Sequence, residues 1–171
     1  MKPLRQGEMD SLCGLYAVVN ALRLCSGGKL SQTHAQAVFR HMVKAVAPSL
    51  ARLACSGSTD DDVKRYLRVA LLFLEERYGI GLKFRYRTCA SYERLKAVVE
   101  EHLAEPDRAV VVSADRHLTV ISAVHGDVWE LQDSWGYKYL HCIKGKVSRQ
   151  KPMLRTMPEL EVFLILPASV R

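Results

Sequence analysis

Leu12, Leu15, Tyr16, Val19 and Leu22 recur at the three- and four-residue steps of one helix face, while Ala17, Val18 and Ala21 make the other side apolar as well. This pattern predicts a helix buried on most sides, with Asp10-Ser11 as its cap. A second helix is expected from after Ser31 to about Ala45, with Ala35, Val38, Phe39, Met42 and Val43 as its core stripe and Pro48 breaking the pattern beyond it. The third has the most complete signals. Thr59 caps it, Asp60 to Asp62 complement its dipole, Val63, Tyr66, Leu67, Ala70 and Leu74 form the stripe, and Gly79 closes it.

Strand character begins at Leu82 to Arg87, pauses for a helix near Ser91 to Leu103, and resumes at Ala109 to Ser113 with the β-branched run Val110-Val111-Val112. Leu118 to Val124 and Val128 to Gln132 flank His125-Gly126-Asp127, a hairpin turn by composition, and Glu161 to Leu166 supplies a last strand before Pro167. Helices first and strands afterwards is the order of an α+β fold. No internal repeat divides the chain, so residues 1–171 read as one domain.

Composition narrows the picture. Of 171 residues, 49% are apolar and 25% charged, which supports one substantial core and excludes intrinsic disorder. Lys and Arg number 25 against 18 Asp and Glu, a net charge of +7 that favours acidic partners in general. Nucleic acid is disfavoured, because no recognised motif or clustered basic helix accompanies the charge. The most basic stretch, Lys144 to Arg155, contains no acidic residue and reads as a solvated loop. Its sharper reading is a docking surface for an acidic substrate, carried by Lys144, Lys146, Arg149 and Lys151.

The amino-terminal residues lack the apolar core of a signal peptide, and no later apolar run reaches the roughly 18 residues a membrane span needs. A cytoplasmic protein without membrane contact is expected. Cys13, Cys25, Cys55, Cys89 and Cys142 are scattered and form no Cys-x-x-Cys pair, which argues against a disulfide framework or a zinc ribbon. His125, His141 and Cys142 do not have an established ligand spacing either, so no metal or other cofactor is expected.

Four groups together suggest chemistry: Gln6, Cys13-Gly14 at the head of the buried helix, His117 at a strand start, and Asp133-Ser134-Trp135-Gly136 where the next strand ends. A cysteine attacks as its thiolate, and a helix N-terminus and a nearby imidazolium both favour that form. His117 would then carry protons between thiol and leaving group, with Asp133 fixing its tautomer. Gln6 and the Cys13 backbone N–H could together donate to the oxyanion of a tetrahedral intermediate. If the turn occupies His125 to Asp127, Val124 faces Val128 and the register sets Asp133 opposite Thr119, one pair from His117 on the same face. A two-residue turn without a bulge would put them on opposite faces.

The order Gln, Cys, His, Asp resembles that of papain-like cysteine peptidases. The local words agree: Gln6 to Gly14 reads Q-G-E-M-D-S-L-C-G, and Trp129 to Gly136 reads W-E-L-Q-D-S-W-G, similar to the family's asparagine-Ser-Trp-Gly strand end. The resemblance runs from Gln6 to Gly136. It implies a central amino-terminal helix carrying the cysteine against a carboxy-terminal antiparallel sheet, and cleavage of a peptide or isopeptide bond through a thioester on Cys13. It also implies Trp135 as a shield over the His117–Asp133 pair and Gly14 as part of the helix start.

Asp133 stands where papain itself has asparagine, which keeps an acceptor for the imidazole and adds a charge. Leu15-Tyr16 follows where secreted members carry a disulfide cysteine, and Gln6 lies close to Met1, so no masking pro-segment is expected. These features point to a compact intracellular branch, near the bacteriocin-leader peptidases. The same residues leave open a transglutaminase or glutamine deamidase, and also a catalytically idle module that binds an acidic protein through its basic surface.

Overall fold

The computed structural model describes residues 3–6, 11–114, 117–141, 146–148 and 158–168, of which 146–148 and 158–160 are described by their backbone alone. The fold is α+β. Helices α1 (Cys13–Cys25), α2 (Gln32–Ala45), α3 (Leu50–Ser56) and α4 (Asp60–Tyr78) precede strand β1 (Leu82–Thr88) and helix α5 (Tyr92–Leu103). The remaining elements are strands: β2 (Ala109–Ala114), β3 (His117–His125), β4 (Val128–Leu131), β5 (Tyr139–His141), β6 (Lys146–Ser148) and β7 (Pro158–Pro167). All neighbours in the sheet are antiparallel, in the order β1-β7-β2-β3-β4-β5-β6.

The sheet is covered on both faces. Val111, Leu118, Val120, Phe163 and Ile165 meet α1, and behind it α2 and α4, in one apolar cluster. Val110, Val112, Ile121, Trp129, Val162 and Leu164 turn the other way and meet Leu95 and Val99 of α5 in a second. Alternating residues of β2 and β7 thus serve both cores, which explains their nearly continuous apolar sequence. Helix α1, lying between sheet and outer helices, is buried along almost its whole length.

The cap signals of α4 hold in full: Thr59 Oγ1 accepts from the Asp62 N–H, Asp62 reciprocates to the Thr59 N–H, and Gly79 closes the helix at φ 63°. Ser31 and Ser91 cap α2 and α5 by accepting from the His34 and Arg94 N–H groups. The start of α1 differs from expectation. Its N-cap is Leu12, with no side-chain hydrogen bond, and the Ser11 N–H goes to the Ala54 carbonyl. A tertiary contact with α3 therefore sets that end, while Asp10 lies outside the described residues.

Pro48 does break the pattern, but it opens a short 3-10 turn that leads into α3, a helix whose seven residues are too few for periodicity to announce. Strands β5 and β6 are also additions. Three residues each, they have no alternation long enough to read. Because Lys146–Ser148 pairs with Tyr139–His141, the basic stretch is not a continuous loop. Lys144, Arg149 and Lys151 lie outside the described residues, as does Cys142, and Lys146 is described by its backbone only. No helix among the described residues is long and apolar enough to cross a membrane.

Candidate active site

Cys13 is the first residue of α1, where the amide N–H groups have no acceptor within the helix. It is buried, and its Sγ accepts a hydrogen bond from the Leu118 N–H at 3.5 Å. Strand β3 therefore reaches the helix start directly, and His117 is the residue before that contact. Gly14 permits the approach of the segment that joins α3 to α4: a Cβ there would fall 2.6 Å from Ser58 Oγ and 3.1 Å from Leu118 Cδ1. Ser58 in turn bonds the Tyr66 hydroxyl at 3.0 Å, which anchors this segment to α4.

The hairpin places His117 and Asp133 together by a route that differs in one detail from the sequence argument. Its turn has two residues, Gly126 and Asp127, with His125 opposite Val128. Ser122 then bulges, so that Ile121 faces Leu131, one register step beyond Ala123 facing Glu130. Gln132 N–H donates to the Val120 carbonyl, which continues the shifted register toward Thr119 and Asp133. The bulge does what a three-residue turn would have done.

His117 Nε2 lies 2.6 Å from Asp133 Oδ2, with 4% and none of the two side chains exposed. The other carboxylate oxygen, Oδ1, accepts from the backbone N–H groups of Trp135 at 2.8 Å and Tyr137 at 3.1 Å. These bonds fix the carboxylate, and the carboxylate fixes the ring. His117 Nδ1 is buried and has no hydrogen-bond partner among the described residues, which leaves it for the thiol side. Burial opposes charge on the imidazole, but the hydrogen bond to Asp133 and the proximity of the Cys13 thiol outweigh it and push the pKa up to about 9. Burial likewise works against the Asp133 anion, yet His117 and the backbone amides hold its pKa below the ordinary carboxylate value.

Trp135 stacks on the His117 ring with centroids 4.2 Å apart and planes 23° from parallel, and Tyr137 meets the ring edge-on at 5.9 Å. Trp135 is nevertheless 42% exposed, so it is not a core aromatic. That role belongs to Trp129, fully buried beneath α5. One face of the Trp135 indole covers the imidazole and the other meets solvent.

The amino-terminal segment is tied to the same place. The Gln6 N–H donates to the Ser134 carbonyl at 3.1 Å, and the Ser134 hydroxyl donates to Gln6 Oε1 at 3.3 Å. With its oxygen so engaged, the other polar end of the Gln6 amide is its NH₂, a donor. Asn20 of α1 clamps Leu4, two residues earlier, through both polar atoms, Leu4 N–H to Oδ1 at 2.8 Å and Nδ2 to the Leu4 carbonyl at 3.3 Å. Asn20 was not singled out by pattern, and Ser134 only as part of the motif around Asp133, with no role of its own. A lone asparagine inside an apolar helix was the available signal.

A cleft of about 440 Å³ opens beside Cys13. Its walls are the 56–60 segment, Ser113, Leu118 and Glu161, so they carry two carboxylates, Asp60 and Glu161, and no basic side chain among the described residues. The other described cysteines are apart from this site: Cys25 is buried with Sγ toward the Ile165 carbonyl at 3.4 Å, Cys89 is buried in the second core, and Cys55 is exposed. Burial, then the nearby Asp107 charge, pushes the Cys25 thiol up to about 12, which suits packing and not reaction.

No protein-family model and no curated protein sequence matches this chain.

Proposed function

We propose that this protein is a papain-like thiol peptidase that hydrolyses a peptide or isopeptide bond through an acyl thioester on Cys13. The observation that carries the reading is the convergence of Cys13 on the first turn of a buried helix with an imidazole held at 2.6 Å by a buried carboxylate. A structural cysteine does not need a charged, tautomer-fixed histidine beside it.

In this reading the Cys13 thiolate adds to the scissile carbonyl carbon, and the carbon–oxygen π electrons move onto oxygen. The Cys13 N–H and the Gln6 NH₂ donate to that oxyanion. His117, charged at neutral pH, passes its Nδ1 proton to the amine as the carbon–nitrogen bond breaks. Now neutral, the ring takes a proton from water, whose oxygen attacks the thioester carbonyl, and the carbon–sulfur bond breaks to release the acid and restore the Cys13 thiolate beside the charged ring. Asp133 keeps the ring in place throughout, and Trp135 limits access of water to the ion pair.

The test is chemical. Brief treatment with a low concentration of iodoacetamide, followed by intact-mass analysis and peptide mapping, is expected to give one adduct, on Cys13, ahead of the exposed Cys55. Labelling of Cys55 first, with Cys13 slow, overturns the reading.

The cleft also bears on what is cleaved. Asp60 and Glu161 favour a substrate with a cationic or neutral polar side chain there, against the acidic substrate expected from the basic stretch alone. Among otherwise identical peptides, Lys or Arg at the residue entering the cleft should raise kcat/KM over Asp or Glu by about fivefold, the worth of an exposed charge pair of about 1 kcal/mol. The Asp60→Asn/Glu161→Gln variant should level the series, as read from a panel of fluorogenic peptides.

A further inference from the structure

A second cleft, of about 230 Å³, lies on the α5 face of the sheet, away from Cys13. Phe84 and Tyr86 of β1 pack against the first core, so Arg85 and Arg87, alternating with them, emerge on this other face. There they meet Arg94 from α5 and Arg108 from the segment before β2, and all four line the cleft with Glu101 and His102. Arg85, Arg87 and Arg94 have no carboxylate partner among the described residues, and Arg108 only approaches Glu105, at 3.9 Å.

Three separate stretches of chain thus bring four guanidinium groups to one concavity against a single carboxylate. A second sign of their combined field is His102. Its Nε2–H donates to the Ile165 carbonyl at 3.0 Å, and its pKa is lowered first by burial and then by the charges of Arg108 and Arg85.

We propose that this cleft is a binding site for a multiply charged phosphate group, a phosphate ester or a diphosphate. Guanidinium forks match the oxygens of phosphate, and four of them exceed what one carboxylate or chloride could neutralise. The cleft is smaller than those that enclose a whole drug-sized ligand, so it holds the charged group and leaves the remainder outside. Because β1 is an edge of the sheet, basic residues there also discourage strand pairing. That need does not explain Arg94 and Arg108, which are not on β1 yet turn to the same cleft.

The probe is inorganic pyrophosphate, titrated into the intact protein by calorimetry at constant ionic strength, with succinate as the carboxylate comparison. Pyrophosphate is expected to bind with one-to-one stoichiometry and succinate at least tenfold more weakly. Arg85→Gln/Arg87→Gln, at exposed positions that leave the core alone, should weaken pyrophosphate by about tenfold or more, as expected for losing charge-assisted hydrogen bonds. Arg40→Gln, exposed on α2 across the sheet, should change nothing. Bound pyrophosphate should also raise the His102 pKa, followed by its ring proton resonances, because it offsets the cationic field. Equal binding by parent and double variant, or succinate binding as tightly as pyrophosphate, overturns the proposal; so does an unmoved His102. Peptide hydrolysis does not enter this test, so the phosphate site stands or falls independently of Cys13 chemistry.

Discussion

Cys13→Ala is expected to reduce peptide hydrolysis to background while the far-ultraviolet spectrum and the cooperative melt remain those of the parent. The expectation follows from what each atom does. The sulfur is the only group in the scheme that bonds to substrate, so its loss removes the acyl-enzyme route altogether. The side chain is small, and the hydrogen bond it accepts from the Leu118 N–H is a long one, 3.5 Å, so the fold loses little. Cys13→Ser should lose nearly all activity as well, because the hydroxyl is a far weaker nucleophile at the same place. Hydrolysis by the alanine variant at more than a small fraction of the parent rate, measured in protein freed of contaminating peptidases, would exclude the thioester mechanism.

A larger structural effect is expected at His117. In His117→Ala the Asp133 carboxylate remains fully buried without its counter-charge, and breaking a buried pair from one side costs about 3–5 kcal/mol. Turnover should vanish and the unfolding midpoint in urea should fall together. Asp133→Asn removes the charge and leaves one acceptor oxygen where the carboxylate has two, so it keeps either the His117 bond or those from the Trp135 and Tyr137 amides. With no charge left buried its stability cost should be smaller than that of His117→Ala, and some turnover should survive with the oxygen toward the ring.

The pH dependence gives a second readout. The alkaline limb of kcat/KM should follow loss of the His117 proton, near pH 9 in the parent, and should move to lower pH in Asp133→Asn because the anion that favours imidazolium is gone. The same pair sets a stability window. His117, raised in the fold, stabilises fully below its unfolded pKa of 6.5, and that contribution is lost as pH rises through about 9. Asp133, lowered in the fold, stabilises above its unfolded 3.8 and loses that contribution as pH falls below its depressed value. Coincident activity and stability losses for both variants, with no shift of the alkaline limb, would mean that the ring and carboxylate do not act as drawn.

Much of this arrangement was legible in the sequence because it is local. The stripe Val63, Tyr66, Leu67, Ala70 and Leu74 and the Thr59 and Gly79 caps define α4 through spacing and hydrogen bonds within a few residues, and the folded chain keeps every one of them. The apolar surround of α1 likewise announced its central position, and Cys13 its place at the helix head. Even the meeting of His117 with Asp133 could be reasoned from strand register, although the register arose from a bulge at Ser122 that composition does not reveal.

The rest was decided by contacts between distant parts of the chain. No side-chain bond from Leu12 caps the start of α1, where the Ser11 N–H goes to the Ala54 carbonyl, and three-residue strands such as β5 do not exist apart from their neighbours. Trp135 and Trp129 sit six residues apart, and only the packing of α5 determines which is core and which lies half in water over the imidazole. The two clefts follow the same rule: Asp60 and Glu161, or Arg85 and Arg108, acquire a shared field only when sheet and helices bring them together. Sequence by itself determined the four longer helices, the longer strands and the candidate residue types, because periodicity and capping act over a few residues. Tertiary structure decided the charge of the clefts, the anchoring of Gln6 by Ser134 and the exposure of Trp135, because electrostatics and burial depend on distance in space.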